Sequence, residues 1–236
     1  MTNPAKLAKL QRLMEIKRLV QAYPYPALND LDRKLKKYID FRNGFFIECG
    51  ANDGHNQSNT FHYEYLMDWK GILIEAIPHL AKQCAYRRMN SAVYNCALVG
   101  FGFEGETLPI RFAGLKSIAQ GIKPPAVEEE WVASGVRNEN LPGTFTVEVP
   151  VRTLTSILDE EKPERIDLFS LDVEGYEPEV LHGLDLDRYR PRYVLIEAHE
   201  AEAIEKIMSP YYDLAEELTR GWDLLYKAKK PVCVPK

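Results

Sequence analysis

Phe45-Phe46-Ile47-Glu48-Cys49-Gly50-Ala51-Asn52-Asp53-Gly54 is the stretch on which the reading of the fold turns. Its short apolar start predicts a buried strand, and the polar, glycine-flanked end predicts a tight turn. Ser58-Asn59-Thr60 then offers the residue types that open a helix. Strand, turn and helix in that order form the first unit of a parallel sheet. The rhythm recurs downstream. Ile72-Leu73-Ile74 predicts a second buried strand, and Pro78 opens a helix to about residue 88. Further strands are predicted at 93–97, 166–171 and 193–196, and residues 214–227 read as a closing hairpin about Arg220-Gly221. Short apolar strands alternating with helices predict an α/β fold with helices on both faces of the sheet.

Outward from this core, the chain has two different regions. Leu7, Leu10, Met14 and Val20 recur near helical spacing, as do Leu28, Leu31, Leu35 and Ile39. Tyr23-Pro24-Tyr25-Pro26 separates the two runs, because a residue before proline leaves the α region. We therefore expect an N-terminal helical extension over 1–43 and one α/β domain over 44–236. Residues 98–152 interrupt the alternation. Strands are predicted at 108–112 and 145–151, and the long segment 114–143 between them is expected to be a mobile flap over the acceptor.

Composition narrows the class of function. The 236 residues are 45% hydrophobic and 28% charged, with a formal net charge of −5. That balance provides no general attraction to nucleic acid or to an anionic membrane. No apolar run approaches the roughly 18 residues that span a bilayer. Cys49, Cys84, Cys96 and Cys233 form no C-x-x-C pair, which predicts reduced thiols in a cytoplasmic protein rather than a zinc or redox site.

In an open parallel sheet, ligands bind at the carboxyl ends of the strands. After the first strand, Gly50 and Gly54 permit a sharp turn and a close backbone approach, with Asn52, Asp53 and Ser58 beside them. The G-x-x-x-G spacing is neither a dinucleotide fingerprint nor a P-loop. Glu48 just before it suits a cationic ligand. Glu75 ends the second strand, where a carboxylate accepts hydrogen bonds from ribose hydroxyls. Asp172 and Glu174 leave the fourth strand in Ser170-Leu171-Asp172-Val173-Glu174-Gly175-Tyr176-Glu177, and His199 follows the fifth. Carboxylates at that place serve as general base, metal ligands or substrate clamps. Glu177 reads as a complement to a helix dipole.

These blocks resemble the FkbM family of S-adenosylmethionine-dependent methyltransferases. Residues 46–54 with Ser58-Asn59-Thr60 are similar to its first cofactor motif, and Trp69-Lys70-Gly71-Ile72-Leu73-Ile74-Glu75-Ala76 to its second. Asn95-Cys96-Ala97-Leu98 is similar to its adenine-side strand, and Ser170 to Glu177 to its most recognisable block. The likeness spans about 44–228 and is weakest over 103–143. Where the family usually has aspartate, this chain has Glu48.

The resemblance implies a Rossmann-like sheet of seven strands, the last antiparallel, with S-adenosylmethionine as cofactor. It implies Glu48, Gly50, Asn52, Asp53, Gly54, Ser58, Glu75, Ala76, Asn95, Ala97 and Asp172 as cofactor contacts. The implied reaction is O-methylation of a sugar or other small acceptor. Asp172 or His199 would take the hydroxyl proton, or Asp172 and Glu174 would hold a divalent metal. The competing readings are a nucleoside-binding module without turnover and a nicotinamide-dependent dehydrogenase, the latter disfavoured by the glycine spacing.

Overall fold

The computed structural model describes residues 4–230. The N-terminal extension folds as α1 (Pro4–Ala22) and α2 (Leu31–Ile39), with the predicted break at the prolines. The first half of the α/β domain runs β1 (Phe45–Cys49), α3 (Phe61–Leu66), β2 (Lys70–Ile74), α4 (Pro78–Arg87) and β3 (Ala92–Tyr94). The interruption contains β4 (Ala97–Leu98), β5 (Thr107–Phe112), β6 (Ile118–Ala119), α5 (Pro125–Asn138) and β7 (Phe145–Arg152). The chain then returns through α6 (Leu154–Glu161), β8 (Leu168–Leu171), α7 (Glu177–His182), β9 (Tyr193–Glu197) and α8 (Ala201–Met208). It closes with the hairpin β10 (Tyr212–Thr219) and β11 (Asp223–Ala228).

Seven of these strands make one sheet in the order β10-β11-β9-β8-β1-β2-β3. All neighbours are parallel except β11, which runs antiparallel to both β9 and β10. The sheet is therefore the Rossmann-like methyltransferase arrangement with an antiparallel last strand. Strand order reverses between β1 and β8, and there the register sets Cys49 beside Leu171. The next residues, Gly50 and Asp172, leave the sheet together.

Alternate residues of each strand feed opposite cores. Ile47, Ile72, Phe169 and Ile196 pack beneath α6, α7 and α8. Phe46, Leu73, Leu168 and Leu195 pack with Leu31, Leu35 and Ile39 of α2 and with Trp69. The N-terminal extension thus supplies part of the core. α1 lies outside it with Ile16 alone buried, and Arg12 Nη2 donates to the Ala85 carbonyl of α4 at 2.6 Å.

One expectation needs correction. Residues 93–97 are not one strand: β3 ends at Tyr94, and Ala97–Leu98 pairs with β7. That pairing belongs to a second, four-stranded sheet in the order β4-β7-β5-β6, built from the interrupting segment. Within 114–143, α5 buries Glu128, Val132 and Gly135. Among the described residues no helix is long and apolar enough to cross a membrane. Cys49, Cys84 and Cys96 are buried free thiols, and Cys233 lies outside the described residues.

Candidate active site

The carboxyl ends of β1, β2, β8 and β9 open into one cleft of about 730 Å³, a size suited to a small ligand. Of the residues singled out in the sequence, Gly50, Asn52, Ser58, Glu75, Ala76, Ala97, Asp172, Glu174 and His199 line it. The cleft has two chemically distinct halves that meet at Gly50 and Asp172.

The first half is built on the Gly50 turn and the end of β2. Gly50 has φ +78°, and a Cβ placed there would fall 1.9 Å from the Asp172 carbonyl oxygen. Only glycine fits. Glu75 is buried, and its two oxygens accept the Asn52 and Ile77 backbone N–H groups, each at 2.7 Å. Burial pushes this carboxyl up to about 7, although the Ile77, Asn52 and Ala76 N–H groups pull the other way. Apolar side chains, Ile77, Leu80, Leu98, Leu108 and Ile110, complete this half.

Four of the expected cofactor contacts do not line the cleft. Glu48 is buried beneath the turn, where Ser58 Oγ, Thr60 Oγ1 and the Asn59 N–H donate to it and Arg88 pairs with it at 3.2 Å. Its carboxylate is fully engaged within the protein. Asp53 turns away to pair with Arg87 and to accept the His55 and Asn56 N–H groups. Gly54 packs against Arg88 and Cys84. Asn95 Nδ2 donates to the Glu75 and Ala76 carbonyls at 2.9 and 2.8 Å, so it braces the turn from behind.

The second half is acidic and aromatic. Asp172 is pushed well above the usual carboxylate range by burial first, then by the charges of Glu197 and Glu174. Its carboxyl and that of Glu197 are close enough to hydrogen-bond. Glu174 stands at φ +60°, strained for a residue with a side chain, and burial pushes its carboxyl up to about 8. His199 Nε2 lies 3.2 Å from Glu197 Oε2 and 3.7 Å from Glu174 Oε2. Burial works against its charge, but the Glu197 hydrogen bond and the surrounding carboxylates outweigh it and raise its pKa. The histidine is thus held by Glu197 and Glu174. The Trp131 and Trp222 rings stand edge-on to His199, both with centroids 5.7 Å away.

Sequence reasoning missed Glu197, Trp131, Trp222, Lys116, Leu28 and Asn29, all of which line the cleft. Glu197 had a signal. Leu171 pairs with Ile196, so Asp172 and Glu197 hold equivalent positions one residue further on. The others come from the interrupting segment, the closing hairpin and the N-terminal extension, and no local pattern ties them to the strand ends.

The FkbM methyltransferase domain matches residues 48–220. Among solved structures, a TehB-like SAM-dependent methyltransferase from Corynebacterium glutamicum is 11% identical, with a TM-score of 0.43 over 96% of this chain and 100% of that one. A SAM-dependent methyltransferase from Aquifex aeolicus is 12% identical, with a TM-score of 0.42 over 91% of this chain and 96% of that one. No curated protein matches. The domain match begins at the acidic end of β1 and ends in the closing hairpin, and on it the chain belongs to the FkbM family of S-adenosylmethionine-dependent methyltransferases.

Proposed function

We propose that this protein methylates a hydroxyl oxygen of a sugar or another small hydroxylated molecule. The observation that carries the reading is the junction of Gly50 with Asp172. It sets a largely apolar half-cleft directly against an acidic one.

S-adenosylmethionine fits the first half. Each Glu75 oxygen accepts one backbone N–H and keeps capacity for a ribose hydroxyl. Ile77, Leu98 and Leu108 offer flat apolar surface to the adenine ring. When bound, the cofactor supplies an electrophilic methyl group on a sulfonium. On this reading Asn52, Ser58, Ala76 and Ala97 surround it, whereas Glu48, Asp53, Gly54 and Asn95 support the turn from outside the cleft.

The acceptor belongs in the second half. Trp131 and Trp222 form its walls, and the buried Trp131 Nε1 has no partner in the protein, so it is free to donate to an acceptor oxygen. An alcohol attacks well only as its proton leaves. Asp172 is our candidate to take that proton, because it is the carboxylate that adjoins the cofactor turn; burial and the neighbouring carboxylates raise its pKa, which makes its ionised form a stronger base than an ordinary carboxylate. His199 is less suited to the task, since Glu197 and Glu174 engage its Nε2. The remaining catalysis comes from holding acceptor and donor in line.

The test is incubation with methyl-labelled S-adenosylmethionine and a panel of sugars, glycosides and phenols, followed by product analysis. A methyl ether is the expected product. Label found only on nitrogen or sulfur would overturn the reading of the acceptor, and no transfer beside tight cofactor binding would favour a binding module.

A further inference from the structure

The acidic half of the cleft gathers more carboxyl groups than cations paired with them, although Lys116 also lines it. Asp172, Glu174 and Glu197 line it together with one imidazole, His199, and Glu177 is bonded to the loop that carries Glu174. Among the described residues none of these four carboxylates forms an ion pair with a lysine or arginine; Glu174 and Glu197 pair only with His199.

Three donor atoms already converge. Glu174, Glu197 and His199 each present one, and all three lie within 4.8 Å of one another. The His199 Nε2 separations of 3.2 and 3.7 Å approach the spacing of adjacent ligands around an octahedral ion, roughly 3 Å for bonds of about 2.1 Å. Small side-chain rotations would close the set.

Glu177 supplies an independent observation at the same place. It is fully buried, and its Oε1 accepts the Val173 and Gly175 N–H groups at 3.1 and 3.0 Å. Its Oε2 is buried with no partner at all. Leaving a carboxylate oxygen so is costly unless positive charge stands near it. The two N–H groups that Glu177 accepts flank Glu174, so Glu177 stands directly behind the residue that supplies one of the three donors. Its unpartnered oxygen thus belongs to a residue bonded to the loop of the three-donor cluster.

We propose that Glu174, Glu197 and His199 bind a divalent cation at the acceptor end of the cleft, with Glu177 behind them as a second layer of negative charge. Two carboxylates with one imidazole suit manganese or a similar oxygen-preferring ion. Three protein donors leave coordination positions open toward the cleft, where an acceptor hydroxyl or a vicinal pair of hydroxyls would bind. That use of the ion rests on the proposed O-methylation; the site itself does not.

The test measures binding of the metal alone. The full-length protein, stripped with a chelator, is titrated with manganese chloride, and the free aqueous ion is followed by electron paramagnetic resonance. The expected result is one ion bound per chain and displaced by excess magnesium. Glu174→Gln, Glu197→Gln and His199→Gln should each weaken it by about tenfold or more. S-adenosylhomocysteine binding, measured on every variant, reports whether the fold is retained. No manganese binding by the wild type at millimolar concentration would overturn the site. So would wild-type manganese affinity in all three variants. Neither result depends on a methyl acceptor, so failure here is separate from failure of the proposed reaction.

Discussion

The Gly50 backbone is packed against the Asp172 carbonyl so tightly that a single methyl group would fall 1.9 Å from that oxygen. This contact joins the cofactor turn to the acidic strand end. Gly50→Ala should displace both. Steric overlap together with the positive φ predicts a loss of about 1–3 kcal/mol in stability, the usual range for forced overpacking. S-adenosylhomocysteine affinity should fall with it. Unfolding curves and calorimetric titration of the variant check both effects, and an unchanged affinity would show that the turn tolerates displacement.

Glu75 gives cofactor binding a pH dependence. Its carboxyl in the free protein is pushed up to about 7 by burial, with the charge of Asp53 adding to the effect. Ribose hydroxyls donate to the ionised form, so affinity should rise with pH up to about 7 and level off above it. The stability contribution has the opposite sign. Because the folded value exceeds the ordinary one, this group favours the free fold at low pH, and that benefit is lost as pH rises through 7. Glu75→Gln should flatten both profiles, and Glu75→Ala should cost about 1–3 kcal/mol of binding. Affinity independent of pH in the wild type would remove Glu75 from the ribose site.

Glu48 and Arg88 test a structural assignment. Arg88 is fully buried between Glu48 and Glu64, at 3.2 and 2.8 Å. Arg88→Met strands two buried carboxylates and should cost about 3–5 kcal/mol of stability. Glu48→Gln should lower the melting temperature while leaving cofactor affinity nearly unchanged, because Glu48 lies outside the cleft. A large affinity loss with little change in stability would reverse that assignment.

The segment 114–143 contributes Gly114, Lys116, Trp131 and Glu139 to the cleft wall. If it moves to admit the acceptor, proteases should cut it in the free protein and more slowly with cofactor and acceptor present. Equal resistance in every state would make it a fixed wall.

Much of this was legible in the sequence, for reasons particular residues show. The strands at Phe46 and Ile72, the prolines at 24 and 26 and the hairpin at Gly221 are local signals, and each lies where it was expected. The strand-end rule brings Glu75, Asp172 and His199 to the lining of one cleft, and one residue of register would have added Glu197. It does not account for Glu48 lying beneath the turn, because the partner that holds it there, Arg88, lies beyond α4 and leaves no local mark. The second sheet was missed for the same reason. β4 is two residues long, and its partner β7 is more than fifty residues away.

The account rests most directly on Asp172 as the proton acceptor at the junction of the two half-clefts. The decisive measurement is methyl transfer to a confirmed hydroxyl acceptor by Asp172→Asn, with S-adenosylhomocysteine affinity measured in parallel. The change is nearly isosteric, so the fold and the affinity should persist while turnover falls by about 10²–10⁴-fold. Turnover close to that of the wild type would contradict the assignment.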